Sequence, residues 1–118
     1  MEALGNLARV LASQGQYADA IACFTRALEL KPEDASVHRD LAAVLVGAGR
    51  NDTALQHYTE ALRLNPNDAE IHVRTGRLLA QLGRRDEALA HVREALRLKP
   101  DDAEAKRMLS TLGAPPPK

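Results

Sequence analysis

Apolar residues fall along this chain at spacings of three and four, in blocks separated by short polar breaks, and the blocks return at a fixed interval. Ala3, Leu7, Val10 and Leu11 form the first stripe. Val37, Leu41, Val44 and Leu45 repeat it, and Ile71, Leu78 and Leu79 repeat it again. A second kind of stripe alternates with the first. It reads Ala20, Ile21, Phe24, Ala27, Leu28, then Ala54, Leu55, Tyr58, Ala61, Leu62, then Ala88, Leu89, Val92, Ala95, Leu96. Such spacing gathers apolar side chains on one helix face. The pattern therefore predicts three pairs of amphipathic helices. Ala105, Met108, Leu109 and Leu112 predict one more helix over 103–112.

The interval is 34 residues. Rows laid over 1–34, 35–68 and 69–102 bring Gly15, Gly49 and Gly83 into one column and Pro32, Pro66 and Pro100 into another. Ala20, Ala54 and Ala88 share a column, as do Ala27, Ala61 and Ala95, and Leu30, Leu64 and Leu98. The second and third rows are identical at sixteen of thirty-four positions, too many for chance. A fixed period of this size marks a repeat architecture.

The most repeated phrase, "TEALRLNPNDAEIH" from Thr59 to His72, is the joint between rows. Its leucine ends a helix, and its proline cannot continue the hydrogen-bond ladder. Asp34, Asp68 and Asp102 then stand where a helix N-cap belongs, each contributing about 1 kcal/mol. The columnar glycine supplies the left-handed residue that closes the first helix of each pair.

Composition adds to this picture. Apolar residues are 45% of the chain and aromatics 3%, so the core is aliphatic, built on Ala and Leu. Sixteen basic and sixteen acidic residues cancel, which gives no general attraction to nucleic acid or to an anionic membrane. No apolar run approaches the roughly 20 residues of a membrane span. The single cysteine, Cys23, excludes an internal disulfide framework and suits a reducing compartment, so the cytoplasm is the most compatible location. The chain enters a helical pattern almost at Met1 with no cap, as a section of a larger protein would. "GAPPPK", over 113–118, is expected to be a disordered Pro-rich tail.

These columns resemble the tetratricopeptide repeat. The first row carries its pattern as Leu4, Leu7, Ala8, Leu11, Gly15, Tyr17, Ala20, Phe24, Ala27 and Pro32. The second keeps Leu41, Ala42, Leu45, Gly49, Ala54, Tyr58, Ala61 and Pro66, with His38 and Asn51 as departures. The third keeps Gly76, Gly83, Ala88, Ala95 and Pro100, and departs at Thr75, Arg85 and Val92. The resemblance implies an all-α, right-handed α-solenoid: three antiparallel helix pairs over 1–102 with a C-terminal capping helix over 103–112.

It also implies a concave groove lined by the polar faces of the first helices. On helical spacing that row holds Glu2, Asn6, Arg9, Ser13, Ser36, Arg39, Asp40, Ala43, Gly47, Glu70, Val73, Arg74, Arg77, Gln81, Glu104 and Arg107, so five arginines stand against four acids. Asn6, Arg9, Arg39, Asp40, Arg74, Arg77 and Arg107 are the expected binding residues. A co-chaperone subfamily grips chaperone carboxylates with Lys, Asn, Asn, Lys and Arg. The matching positions here are Gly5, Arg9, Asp40, Glu70 and Arg74, and only Arg74 keeps its type. That clamp is not expected. The Asn ladder of O-linked sugar transferases fails likewise, matched by Asn6 but not by Asp40 or Arg74. The competing reading of the arginines is a solvated face with internal pairs, Glu70 with Arg74 and Asp40 with Arg74.

No motif for catalysis is visible, neither a phosphate-cradling loop nor a nucleophile with its base. His38 and His72 share a column, as do His57 and His91 with Cys23 one row earlier. Packed helices lie about 8–10 Å apart, whereas zinc needs each ligand within about 2.0–2.3 Å. No metal or cofactor is expected from these columns. His38 and His72 are expected to be semi-buried, and His57, His91 and Cys23 to face solvent.

The function so implied is a non-catalytic protein-interaction scaffold that holds an extended peptide or partner helix in its groove. The expected partner is a protein or peptide, acidic or with a free carboxylate, with no nucleic acid and no membrane insertion. Two alternatives stand beside it: self-assembly through exposed repeat ends, as a weak homodimer, and an accessory segment positioning substrate for a larger enzyme.

Overall fold

The computed structural model describes residues 2–113, the side chain of Glu2 excepted; Met1 and the end of the Pro-rich tail, 114–118, lie outside the described residues. Its elements are α1 (Glu2–Ser13), α2 (Tyr17–Leu30), α3 (Ala35–Gly47), α4 (Asn51–Leu64), α5 (Ala69–Gln81), α6 (Arg85–Leu98) and α7 (Ala103–Gly113). No strand occurs among the described residues. Gly113, the first residue of the expected tail, ends α7 instead. The chain divides into two compact units, Met1–Pro66 with α1 to α4 and Asn67–Lys118 with α5 to α7.

Local chemistry sets the helix ends in both units. The Asp34 carboxylate accepts from the Ser36 and Val37 amides at 3.1 and 3.3 Å, capping α3. Asp68 accepts from Ile71 at 3.2 Å, and Asp102 from Ala105 at 2.9 Å. Gly15, Gly49 and Gly83 have φ of 76°, 80° and 77°, the left-handed conformation expected of their column. In each case the next amide reaches back five residues, as Arg50 does to the Leu45 carbonyl at 2.8 Å. Orphan carbonyls at the helix end are thereby satisfied within a tight turn. The second helices start straight from these turns, with no side-chain cap at Gln16, Arg50 or Arg84.

In the first unit α1 packs on α2, α2 on α3 and α3 on α4. Phe24, Leu41, Leu45 and Tyr58 are buried among Ala8, Ala20, Ala27, Ala42, Ala54 and Ala61. Tyr17 lies over Gly47 of α3, where a Cβ would come within 3.1 Å of its ring. In the second unit α6 packs on both α5 and α7. Val73, Val92, Ala95 and Ala105 form a core flanked by Leu96, Met108, Leu109 and Leu112. A Cβ at Gly76 would lie 3.1 Å from Val92 and 3.2 Å from the Ala88 carbonyl, so glycine lets α5 approach α6 closely. Thr75, a departure from the repeat pattern, is buried because its hydroxyl donates to the Ile71 carbonyl at 2.7 Å. Arg85, another departure, donates from Nε to the Leu112 carbonyl and so ties α6 to the end of α7.

Ala54 is 0% exposed where α4 packs on α3. Replacing it with leucine is expected to destabilise the chain by about 1–3 kcal/mol through overpacking. Urea unfolding measures this, and an unchanged midpoint would show that the site is not tightly packed.

Candidate functional site

The first-helix face of the first unit brings together four of the expected groove residues. Arg9 on α1 reaches Asp40 on α3, Nη1 to Oδ2, at 3.0 Å, and Arg39 Nε meets the other oxygen at 3.3 Å. Arg9 also donates to the Asn6 amide oxygen. The Asp40 side chain is only 15% exposed, so this carboxylate sits under its two guanidiniums. The sequence reading offered Arg74 as its partner. The structure gives Asp40 to Arg9 and Arg39, and Arg74 to Glu70.

Beside that cluster a cleft of about 450 Å³ is lined by Gly5, Asn6, Arg9, Lys31, Asp34, Ser36 and Val37. The Ser36 hydroxyl holds the Asp34 carboxyl below its ordinary value, against partial burial, so the cap is ionised at neutral pH. Its charge is directed at the start of α3.

The second unit carries the other three arginines. Arg74 pairs with Glu70 one turn back at 3.2 Å, and Arg77 pairs with Glu104 of α7 at 3.0 Å. Arg107 is exposed and has no ion-pair partner among the described residues. Between α5 and α7 lies a cavity of about 560 Å³ lined by Arg77, Ala80, Gln81, Glu104, Arg107, Met108, Thr111 and Leu112. Ala80, Met108 and Leu112 are half-buried, while Arg77, Gln81, Arg107 and Thr111 stand exposed. The cavity thus joins an apolar surface to two guanidiniums and one carboxylate. A smaller hollow of about 270 Å³, lined by Glu70, Val73, Arg74, Arg77, Lys99, Asp102 and Glu104, adds Lys99 to the charges of this unit. The sequence assigned Met108 and Leu112 only to the inner face of α7 and passed over Lys99. Lys99 shares its column with Lys31, each directly before the turn proline, and that repetition was the available signal.

The histidines require a correction. His38 and His72 are buried, close to expectation, but His57 and His91 are half-buried and do not simply face solvent. Nδ1 of His38 lies 3.1 Å from Nδ1 of His57, and the same atoms of His72 and His91 are 3.1 Å apart. Partners meet within one helix pair, nineteen residues apart, and not along the 34-residue columns. Burial, then the neighbouring histidine, push His57 and His91 below the ordinary imidazole value. Cys23 is half-buried. Among the described residues no group of three or more His, Cys, Asp or Glu side chains could hold a metal ion, and no helix is long and apolar enough to cross a membrane.

The profile of the tetratricopeptide repeat matches residues 45–112, and a second profile of that repeat matches residues 6–69. No curated protein sequence matches significantly. Among solved structures, the first TPR of Spaghetti (RPAP3), bound to an HSP90 peptide, superposes with a TM-score of 0.90 at 22% identity, over 94% of this chain and 88% of that one. The Arabidopsis OM64 TPR domain gives 0.89 at 25% identity, over 95% and 93% of the two chains. MamA gives 0.90 at 20% identity, with 94% of this chain covering 65% of that one. The helix pairs, their alanine and glycine columns and these likenesses agree: the chain belongs to the tetratricopeptide-repeat family.

Proposed function

We propose that this chain is a non-catalytic interaction scaffold whose first-helix faces hold an extended acidic peptide. The observation that carries the reading is the cavity between α5 and α7. An apolar side chain of the ligand fits against Ala80, Met108 and Leu112, while Arg107, which has no ion-pair partner among the described residues, takes a carboxylate. Such charge-assisted hydrogen bonds are about twice as strong as neutral ones. Arg77 can join once the ligand competes with Glu104.

The structure of Spaghetti (RPAP3) holds an HSP90 peptide, which supports peptide binding as a use of this fold. Its ligand does not transfer directly. Gly5 offers no cation here, and Asp40 and Glu70 are acidic at positions where the co-chaperone clamp carries Asn and Lys. Selecting the ligand from a peptide library displayed against the purified chain tests the proposal. Arg77→Glu with Arg107→Glu is expected to weaken the enriched peptide at least about tenfold, near 1.4 kcal/mol, and to flatten its salt dependence. Glu104→Gln, which frees Arg77, is expected to tighten binding. Arg93→Glu on α6 controls for net charge, and parent-like binding by every variant would refute this site.

One observation favours self-association as a second reading. Leu7 and Val10 on α1 are 49% and 52% exposed, whereas Leu41 and Val44, their column equivalents on α3, are 2% and 7% exposed. Apolar surface of this kind marks an association site, and a second copy of the chain would cover it. Light scattering across a concentration series is expected to show a weak dimer that Val10→Glu abolishes. A strict monomer at about 1 mM, where even weak pairs form, would remove the reading.

A further inference from the structure

Peptide binding makes no use of the two histidine pairs. Each links the first helix of a pair to the second, α3 to α4 through His38 and His57, and α5 to α6 through His72 and His91. In both, the ring centres stand 5.3 Å apart, which exceeds the Nδ1 separation by 2.2 Å (5.3 − 3.1). That excess corresponds to two centre-to-nitrogen segments laid nearly end to end. Each Nδ1 is therefore aimed at the other. Face-to-face stacking, or two lone pairs converging on a metal to one side, would bring the centres closer.

Two nitrogens aimed at each other across 3.1 Å need one proton between them. With none, two lone pairs oppose; with two, two N–H groups collide. In the α3–α4 pair a third atom decides which ring supplies it. His38 Nε2 lies 2.9 Å from the Pro32 carbonyl oxygen, which can only accept. Neutral His38 thus carries its proton on Nε2 and accepts at Nδ1, and His57 donates from Nδ1.

We infer that each histidine pair is an acid-released latch: one shared proton holds the two helices together, and a fully protonated pair comes apart. In the α3–α4 pair the first added proton goes to His57 Nε2 and leaves the bond intact. A second has only His38 Nδ1 to occupy, and it sets two N–H groups and two positive charges head to head.

The surrounding carboxylates oppose the depression of the His57 and His91 values, and burial and the paired ring outweigh them. Glu60 faces His57 and acts on His38, Glu87 faces His91, and Glu94 acts on His72. Each is hydrogen-bonded by an arginine, Arg63, Arg84 and Arg97 respectively, which holds its carboxyl below the ordinary value. Lys31 and Glu33 flank the Pro32 carbonyl in the turn before α3, and Glu33 acts on Arg63. Glu60, Glu87 and Glu94 stay charged throughout the range in which imidazoles titrate. Depressed folded-state values for His57 and His91 mean that the unfolded chain takes up protons first as the pH falls. His57 and His91 therefore contribute stability that is full above the ordinary imidazole value of about 6.5 and is lost as pH falls through their lower folded values; the latch itself opens only when the second ring of a pair is protonated as well. In the first row Leu4 and Cys23 occupy the same two columns and cannot form such a latch.

Urea unfolding of the full chain at about pH 7.5 and about pH 5.5 tests the inference, with His57→Gln plus His91→Gln as comparison. Glutamine can donate to the same Nδ1 but takes up no proton. The parent midpoint is expected to fall between the two pH values, and the variant midpoint to fall by less than half as much. Equal falls would overturn the latch. Should the variant fail to fold, nitrogen-15 NMR of the parent at neutral pH reads the tautomers directly. His57 protonated at Nδ1 with His38 protonated at Nε2 supports the inference; His57 protonated at Nε2 overturns it. So would a midpoint raised by zinc and restored by a chelator, since the lone pairs would then converge on a metal.

Discussion

Two helices approach closely only where the residues at their contact are small, and this chain places alanine there in every repeat. Ala20, Ala54 and Ala88, with Ala61 and Ala95, are fully buried, and Ala27 nearly so. Close packing then lets one larger side chain per pair, Phe24, Tyr58 or Val92, complete the core, which is why 3% aromatic content suffices. Gly76 takes the same principle further, since even a methyl group would crowd Val92 and the Ala88 carbonyl. The first-helix faces, the histidine pairs and the cavity beside α7 all depend on helices held this near.

What could be read from the chain without coordinates follows from how local each demand is. A left-handed residue at 15, 49 or 83 strongly favours glycine, and a helix start at 35, 69 or 103 wants an oxygen acceptor just before it. Those requirements name residue types, so the sequence displays them. The exposure of Leu7 and Val10 is a different matter. Their spacing is the same as that of Leu41 and Val44, and only tertiary packing distinguishes covered from uncovered.

The histidines show the limit of reading down columns. Periodicity compares residues 34 apart, whereas side chains within a helix pair meet at a separation of nineteen. His57 looks polar and peripheral by type, yet its position beside α3 buries half of it against another histidine. A coincidence of His at both positions, in two successive rows, was the available signal. It concerns pairing within a row, and a search for metal ligands along a column passes over it.

The arginines raise a related question, whether a side chain already paired can still serve a ligand. Arg63 pairs with Glu60 and Arg97 with Glu94 three residues away on the same helix, and Arg84, just before α6, pairs with Glu87 in its first turn. Arg9 and Arg77, by contrast, pair across helices, with Asp40 and Glu104. An exposed pair of this kind is worth about 0.2–1 kcal/mol, whereas a hydrogen bond to a charged group contributes about 1.5–3 kcal/mol. A ligand carboxylate that fits the α5–α7 cavity can therefore displace Glu104 at small cost. Asp40 is harder to displace, because it is largely buried beneath two guanidiniums and would lose both. The same kind of pair thus locks the face of α1 and α3 and leaves the face of α5 and α7 open to exchange. For the proposed scaffold, burial of the acid matters more than the number of arginines in separating an exchangeable pair from a locked one.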